Sequence, residues 1–268
     1  MKIRTILFLT FFLAISVLYV LSSKVRGVEI QSLGLIFPVG AALVGLYTSR
    51  IFGFKSANGR ALLLITAGIA CWAIGEILFW VFANIMNIDP FPSLADAFFL
   101  LAYPFFGVGI YQSFTTAGVK LKQVNRLLLV TVLSASLVLT VLVAYFGVYL
   151  AYDASADPLA NVVNVVYGLG DLVLVIFSML TILVASEYKG GKLASFWKIM
   201  ASGFILILIA DIVFAIYGDQ ILNDIKPYTY VDLIWTAGYQ LLAYGMLENY
   251  IHVSAVQKNI KLKLQQRQ

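Results

Sequence analysis

Long, continuously apolar runs recur along this chain at residues 5–22, 32–52, 61–86, 94–115, 126–150, 159–186, 195–217 and 230–252, separated by short polar connectors. A helix needs roughly 20 mostly apolar residues to cross about 30 Å of hydrocarbon, so the pattern predicts eight transmembrane helices. Barrel strands would alternate apolar and polar positions over about ten residues, and these runs do not alternate. The expected fold class is therefore all-α integral membrane.

The connectors predict an orientation, because Lys and Arg near span ends stay on the cytoplasmic side. Lys2 and Arg4 precede the first run, Arg50, Lys55 and Arg60 follow the second, and Lys120, Lys122 and Arg126 follow the fourth. Lys189, Lys192 and Lys198 follow the sixth, and Lys258, Lys261, Lys263 and Arg267 follow the eighth. The alternate connectors carry acids, with Asp89, Asp153, Asp157, Asp219 and Asp224 against a single Lys226. Only Lys24 and Arg26 in the first outer loop depart from the rule. Both termini are thus expected in the cytoplasm of a plasma-membrane protein. A basic start before an apolar run also suits a secretory signal, but this run is long for one and lacks a clear small-x-small cleavage site.

The chain also matches itself. Glu76-Ile-Leu-Phe corresponds to Asp211-Ile-Val-Phe, and the run from Pro92 to Asp96 corresponds to that from Tyr228 to Asp232. Ala102-Tyr103-Pro104 corresponds to Gly238-Tyr239-Gln240, and Phe37-Pro-Val-Gly40 meets Tyr167-Gly-Leu-Gly170. The expected organisation is one four-helix repeat over residues 1–125, a second over 126–253, and a short basic tail over 254–268. Four spans per half give both copies the same polarity, so their pseudo-twofold axis is expected along the membrane normal.

Composition supports immersion: 62% of residues are hydrophobic and 12% charged, where a soluble domain is about one-quarter charged. The net charge of +5 is dispersed over many connectors, which points to anionic lipid headgroups and not to nucleic acid. Cys71 is the only cysteine and His252 the only histidine, which excludes an intramolecular disulfide, cysteine-based metal sites and most histidine-based chemistry. No phosphate loop and no lysine deep in a span are present. No catalytic residues and no cofactor are assigned, and nothing points to an enzyme.

Acidic residues inside the runs are the informative ones, since an ionised group in hydrocarbon is costly unless paired, protonated or hydrated. Glu76 is flanked by Trp72 and Trp80 one turn to either side, and Asp211 occupies the matching position in the second half. Either a ligand or proton site, or a neutral carboxyl bonded to a neighbouring helix, accounts for them. Asp171 shares a polar stripe with Asn164, Gly168 and Ser178, and its counterpart in the first half is Ala41. Asp96 and Asp232 have the spacing of capping boxes, and Tyr103 and Tyr239 follow them two turns deeper, where a phenol can donate to a carboxylate. These residues would form an acidic and aromatic cavity facing outward between the halves, holding a small molecule or a cation, with the metal question open.

The run from Pro92 through Ser-Leu-Ala-Asp-Ala-Phe-Phe-Leu-Leu-Ala-Tyr to Pro104 resembles a motif in the multi-pass sensory regions that precede diguanylate cyclase and histidine kinase domains of prokaryotic signalling proteins. Tyr167-Gly-Leu-Gly-Asp171-Leu resembles a second element of those regions. The resemblance implies a membrane input module for signal transduction. Here the residues after Val253 form a short basic stretch in place of an output domain, expected as a helix on the inner leaflet or the start of a signalling helix. The leading expectation is a sensory or ligand-binding module. A proton- or cation-coupled transporter or channel, and a structural subunit bound to partner membrane proteins, are the alternatives.

Overall fold

The computed structural model describes residues 10–11, 13–14, 16–17, 32–153, 157–188, 191–222, 227 and 230–266. Among them the chain is all-helical, with no strand. The first expected span and the Lys24–Arg26 loop lie largely outside the described residues. Seven α-helices follow: α1 (Ile36–Phe52), α2 (Ala57–Trp80), α3 (Leu94–Ala117), α4 (Arg126–Leu142), α5 (Pro158–Glu187), α6 (Lys192–Leu222) and α7 (Val231–Gln265). Helices α2 and α4 each run on into a π-helical turn, Val81–Met86 and Val143–Tyr149.

The starts are set by side chains that satisfy the first free amides. Ser56 caps α2 through Gly59 N, and Asn125 caps α4. Asp157 caps α5, whose first residue is Pro158. At α3 the expected capping box forms: Ser93 accepts from Ala95 N, and Asp96 accepts from Ser93 N at 2.6 Å. Thr229, the counterpart of Ser93, lies outside the described residues, and Tyr230 at the start of α7 supplies no side-chain cap.

Among the described residues, five helical segments are long and apolar enough to cross a bilayer: Ala57–Met86, Leu94–Ala117, Arg126–Tyr149, Pro158–Glu187 and Lys192–Gly218. That makes this an all-helical protein of membrane type. Two further expected spans differ from that set for physical reasons. Helix α1 begins at Ile36, after a 3₁₀ turn at Ser32–Leu35, and its 17 residues reach only about 26 Å. Pro38 falls in its first turn, where the missing N–H is unneeded, so no mid-span kink arises there. Helix α7 is long but carries Asp232, Gln240, Glu248 and Asn249, and it hides Gln240 (1% exposed) and Asn249 (3%) inside the bundle. The basic stretch after Val253 continues α7 without a break to Gln265, so it is not a separate helix folded onto a leaflet.

The helices close into a ring. In order of contact it runs α1, α2, α3, α5, α6, α7 and back to α1, and α4 stands outside against α5. Most of α4 is exposed apolar surface, as a lipid-facing helix requires. Small residues bring ring neighbours close, which is how membrane helices gain dispersion energy without a hydrophobic force between them. Gly68 of α2 faces the Phe106 ring of α3, and Gly203 of α6 faces Leu242 of α7. Gly109 of α3 lies on Ile65 of α2, and Gly245 of α7 on Met200 of α6. A Cβ at Gly68 would sit 2.6 Å from Phe106, and one at Gly203 2.8 Å from Leu242.

Substituting Gly68→Val or Gly203→Val should therefore cost about 1–3 kcal/mol through overpacking. Gly40→Ala, with nothing within 4 Å of its Cβ, should change little. Thermal unfolding of the purified variants in one detergent checks this, and equal melting temperatures for Gly68→Val and Gly40→Ala would refute the packing assignment.

Candidate functional site

Glu76, Asp96, Asp211 and Asp232 lie toward the end of the ring opposite the basic connectors, and Asp171 lies near the middle of α5. Each of four carboxyl groups receives a proton donor from an aromatic side chain. Tyr239 of α7 donates to Glu76 Oε1 of α2 at 2.8 Å, and Tyr103 of α3 donates to Asp171 Oδ1 of α5 at 2.9 Å. Tyr167 of α5 donates to Asp96 Oδ1 of α3 at 2.8 Å, and Trp235 Nε1 of α7 donates to Asp211 Oδ1 of α6 at 2.7 Å. The carboxyl groups of Asp171 and Asp211 lie within electrostatic reach of each other.

Three of these donors reach across the chain midpoint. Tyr103 and Tyr239 were expected two turns below Asp96 and Asp232 on their own helices, but Tyr103 serves a carboxyl on α5, its ring neighbour, and Tyr239 reaches across the inside of the ring to α2. Both rings point into the core, against Trp72. Asp96 uses both oxygens, one on its own helix start and one on Tyr167, so its capping role and its place in the network coexist. Asp232 is half-buried, with Glu76 within electrostatic reach.

Trp72 occupies the centre. Its ring meets Phe106 edge-on at 4.6 Å, Tyr239 at 6.0 Å, Phe204 at 6.3 Å and Tyr103 at 6.4 Å. Edge-to-face contacts of this kind favour aromatic clusters beyond the area they bury. At its middle, then, the expected cavity is filled by rings that hold the two donating phenols, with the carboxyls around them. Gly170, beside Asp171, makes room: a Cβ there would sit 2.5 Å from the Tyr103 ring.

Not every predicted residue joins. Asn164 is half-buried and makes no hydrogen bond to this group among the described residues. Gly168 of the same stripe lets the π-turn after α4 approach, since a Cβ there would lie 2.0 Å from Gly147 O. Ser178 is buried with its hydroxyl unpartnered. Trp80 is half-buried, and its indole N–H has no partner. Among the described residues no group of three or more His, Cys, Asp or Glu is placed to hold a metal ion. Sequence reasoning missed Tyr167 and Trp235 as donors. Both were detectable by helical spacing, since Tyr167 precedes Asp171 by one turn and Trp235 precedes Tyr239 by one turn.

A hydrogen bond to a charged group contributes about 1.5–3 kcal/mol, and leaving a buried acceptor bare costs a similar amount. Tyr103→Phe should thus lower stability by about 1.5–3 kcal/mol, while Tyr111→Phe, at an exposed position, should be neutral. Gly170→Ala pushes the Tyr103 ring off Asp171, so in a double-mutant cycle its cost should overlap with that of Tyr103→Phe. Fully additive melting shifts would show that the two residues do not share this contact. No protein-family model, curated protein or solved structure matches this chain.

Proposed function

We propose that this chain is a membrane sensory or ligand-binding module of the plasma membrane, with the carboxyl–phenol group between its halves as the input site. The observation that carries the reading is that Tyr103–Asp171, Tyr167–Asp96 and Tyr239–Glu76 all join one half of the chain to the other. A ligand donor or cation arriving at these carboxyls competes directly with the bonds that fix the halves relative to each other. Binding energy spent there is available to shift packing, which is what a sensor requires.

The reading takes the protein as two parallel four-helix repeats spanning the bilayer eight times with both ends inside. The ring order supports it, because α1, α2 and α3 follow one another as α5, α6 and α7 do, with α4 outside at the place the first span would mirror. The paired glycine contacts support it too. Gly68 on Phe106 matches Gly203 on Leu242, and Gly109 on Ile65 matches Gly245 on Met200, at the spacings that relate Glu76 to Asp211 and Tyr103 to Tyr239.

The output element is α7. It holds Trp235 and Tyr239 at the site and continues as one helix to Lys258 and Lys263, and the 24 residues from Tyr239 to Lys263 span about 36 Å. Near its far end Gln257 Nε2 donates to Ile51 O of α1 at 2.8 Å. A rigid rod transmits a tilt or rotation at the site to that contact and to the basic end beyond it.

The nearness of the Asp171 and Asp211 carboxyls favours a second reading, proton-coupled transport. Two neighbouring carboxyls in hydrocarbon do not both ionise without cost, which is the arrangement a proton carrier uses. Two measurements separate the readings. Spin labels at Ala57→Cys and Leu264→Cys should change separation when pH passes from mildly alkaline to mildly acidic, and Glu76→Gln with Asp211→Asn should abolish the change. Proteoliposomes under a proton or sodium gradient should show no flux above empty vesicles. Gradient-driven flux lost in the same variants, with a fixed label distance, would establish the transporter instead.

A further inference from the structure

Helix α7 keeps one side toward the middle of the ring, and that side does not stop where the ring does. Met246 is fully buried, and Asn249 lines a small space at the basic end with Phe52 of α1, Ser113 of α3 and Trp197 of α6. At 3.6 residues per turn, Val253, Val256, Ile260 and Leu264 fall on the same side, within about 80° of one another and of Met246 and Asn249. The bond from Gln257 to Ile51 O holds this side against the last turn of α1.

From Ala255 onward the described side chains of α7 are exposed. Residues 258–265 project about 12 Å past the contact with the end of α1. The inward stripe is therefore carried out of the ring with Val256 at 43%, Ile260 at 53% and Leu264 at 58% exposure. Among the apolar residues of this stretch only Ala255 and Leu262 lie on the opposite side. A helical segment this short gains most of its stability by packing an apolar face, and here the face is formed and open.

Charge decides what can cover it. Residues 249–268 contain Lys258, Lys261, Lys263 and Arg267 and no acid. Arg50, Lys55, Arg60, Lys120, Lys122 and Lys192 stand at the same end of the ring, against Glu187 and Glu248. A second copy laid in register would set Lys263 against Lys263, so like charge selects against self-pairing. A leaflet is a poor cover too, because the stripe is on the side of α7 that faces the middle of the ring. A helix that is apolar along one side and acidic along its margins matches both the stripe and its surroundings.

We propose that the exposed end of α7 is the docking site for an acidic amphipathic helix of a partner protein, which packs its apolar side on Val256, Ile260 and Leu264 and sets its carboxylates against Lys263 and the connector cations. The stripe and its charges carry this by themselves, whether or not the carboxyl group at the far end of the bundle receives an input.

The probe is a fluorescent synthetic helix with Leu at heptad positions a and d and Glu and Ala elsewhere, and its control has every Glu replaced by Lys. Fluorescence anisotropy with the full chain in phosphatidylcholine nanodiscs, corrected for empty discs, should show saturable binding of the acidic peptide and none of the basic one. Combining Val256→Ser, Ile260→Ser and Leu264→Ser alters only exposed side chains and should weaken binding about tenfold or more. Lys55→Glu with Lys263→Glu keeps the stripe, and it should weaken the acidic peptide and admit the basic one. If the serine variant is not monodisperse, the charge-reversed variant decides alone. Equal binding of both peptides, no binding to the wild type, or unchanged affinity in either variant overturns the proposal. So does a silent acidic peptide while the detergent-purified chain self-associates, or binds phosphatidylglycerol vesicles, through the same three residues, since the stripe would then belong to a second copy or to a leaflet.

Discussion

A carboxyl group buried among hydrocarbon needs a hydrogen-bond donor, and the rest of this structure follows from how that need is met. No lysine or arginine lies deep in the apolar runs, so the donors are aromatic: the hydroxyls of Tyr103, Tyr167 and Tyr239 and the indole N–H of Trp235. Phenols and indoles are long enough to reach a carboxyl on another helix. The acids therefore tie helices to one another, with α3 bound to α5 beside it, α7 to α6 beside it, and α7 to α2 across the ring. Trp72 then fills the space that the donors leave between them.

The two sides of the ring meet the constraint unequally. On one side Tyr239 serves Glu76, and the position matching Asp171 is Ala41. On the other, Tyr103 donates to Asp171 and Trp235 to Asp211, with the two carboxyls in electrostatic reach of each other. Tyr167 likewise has Phe37, which cannot donate, as its counterpart. The polar groups are thus concentrated on one side of the ring. The energetics of such networks are high-stakes, because in a low-dielectric setting a lost partner is not replaced by water.

Much of this was legible in the sequence, and the rest fails for identifiable reasons. Run lengths locate most helices, because the cost of exposing backbone to lipid leaves few alternatives. The capping box at Ser93 and Asp96 was readable as a local pattern, since its partners are three residues apart. The internal match gave the correspondence of Glu76 with Asp211 and of Tyr103 with Tyr239, but not who bonds whom. Pairing across helices depends on ring order, which no single-chain periodicity encodes. Helix α7 is read less well by hydropathy because its polar residues turn inward, and a tail that looks separable by composition is the same helix continued.

The central claim is that phenol-to-carboxyl bonds hold the two halves together, and dividing the chain tests it most directly. Residues 1–124 and 125–268, produced together as separate polypeptides, should copurify in mild detergent, because the connector between Val124 and Asn125 lies outside the ring. Replacing Tyr103, Tyr167 and Tyr239 together by Phe keeps ring volume and removes only the three donors, and it should sharply reduce recovery of the pair. Undiminished copurification of the triple variant would contradict the account, because apolar packing alone would then suffice to join the halves.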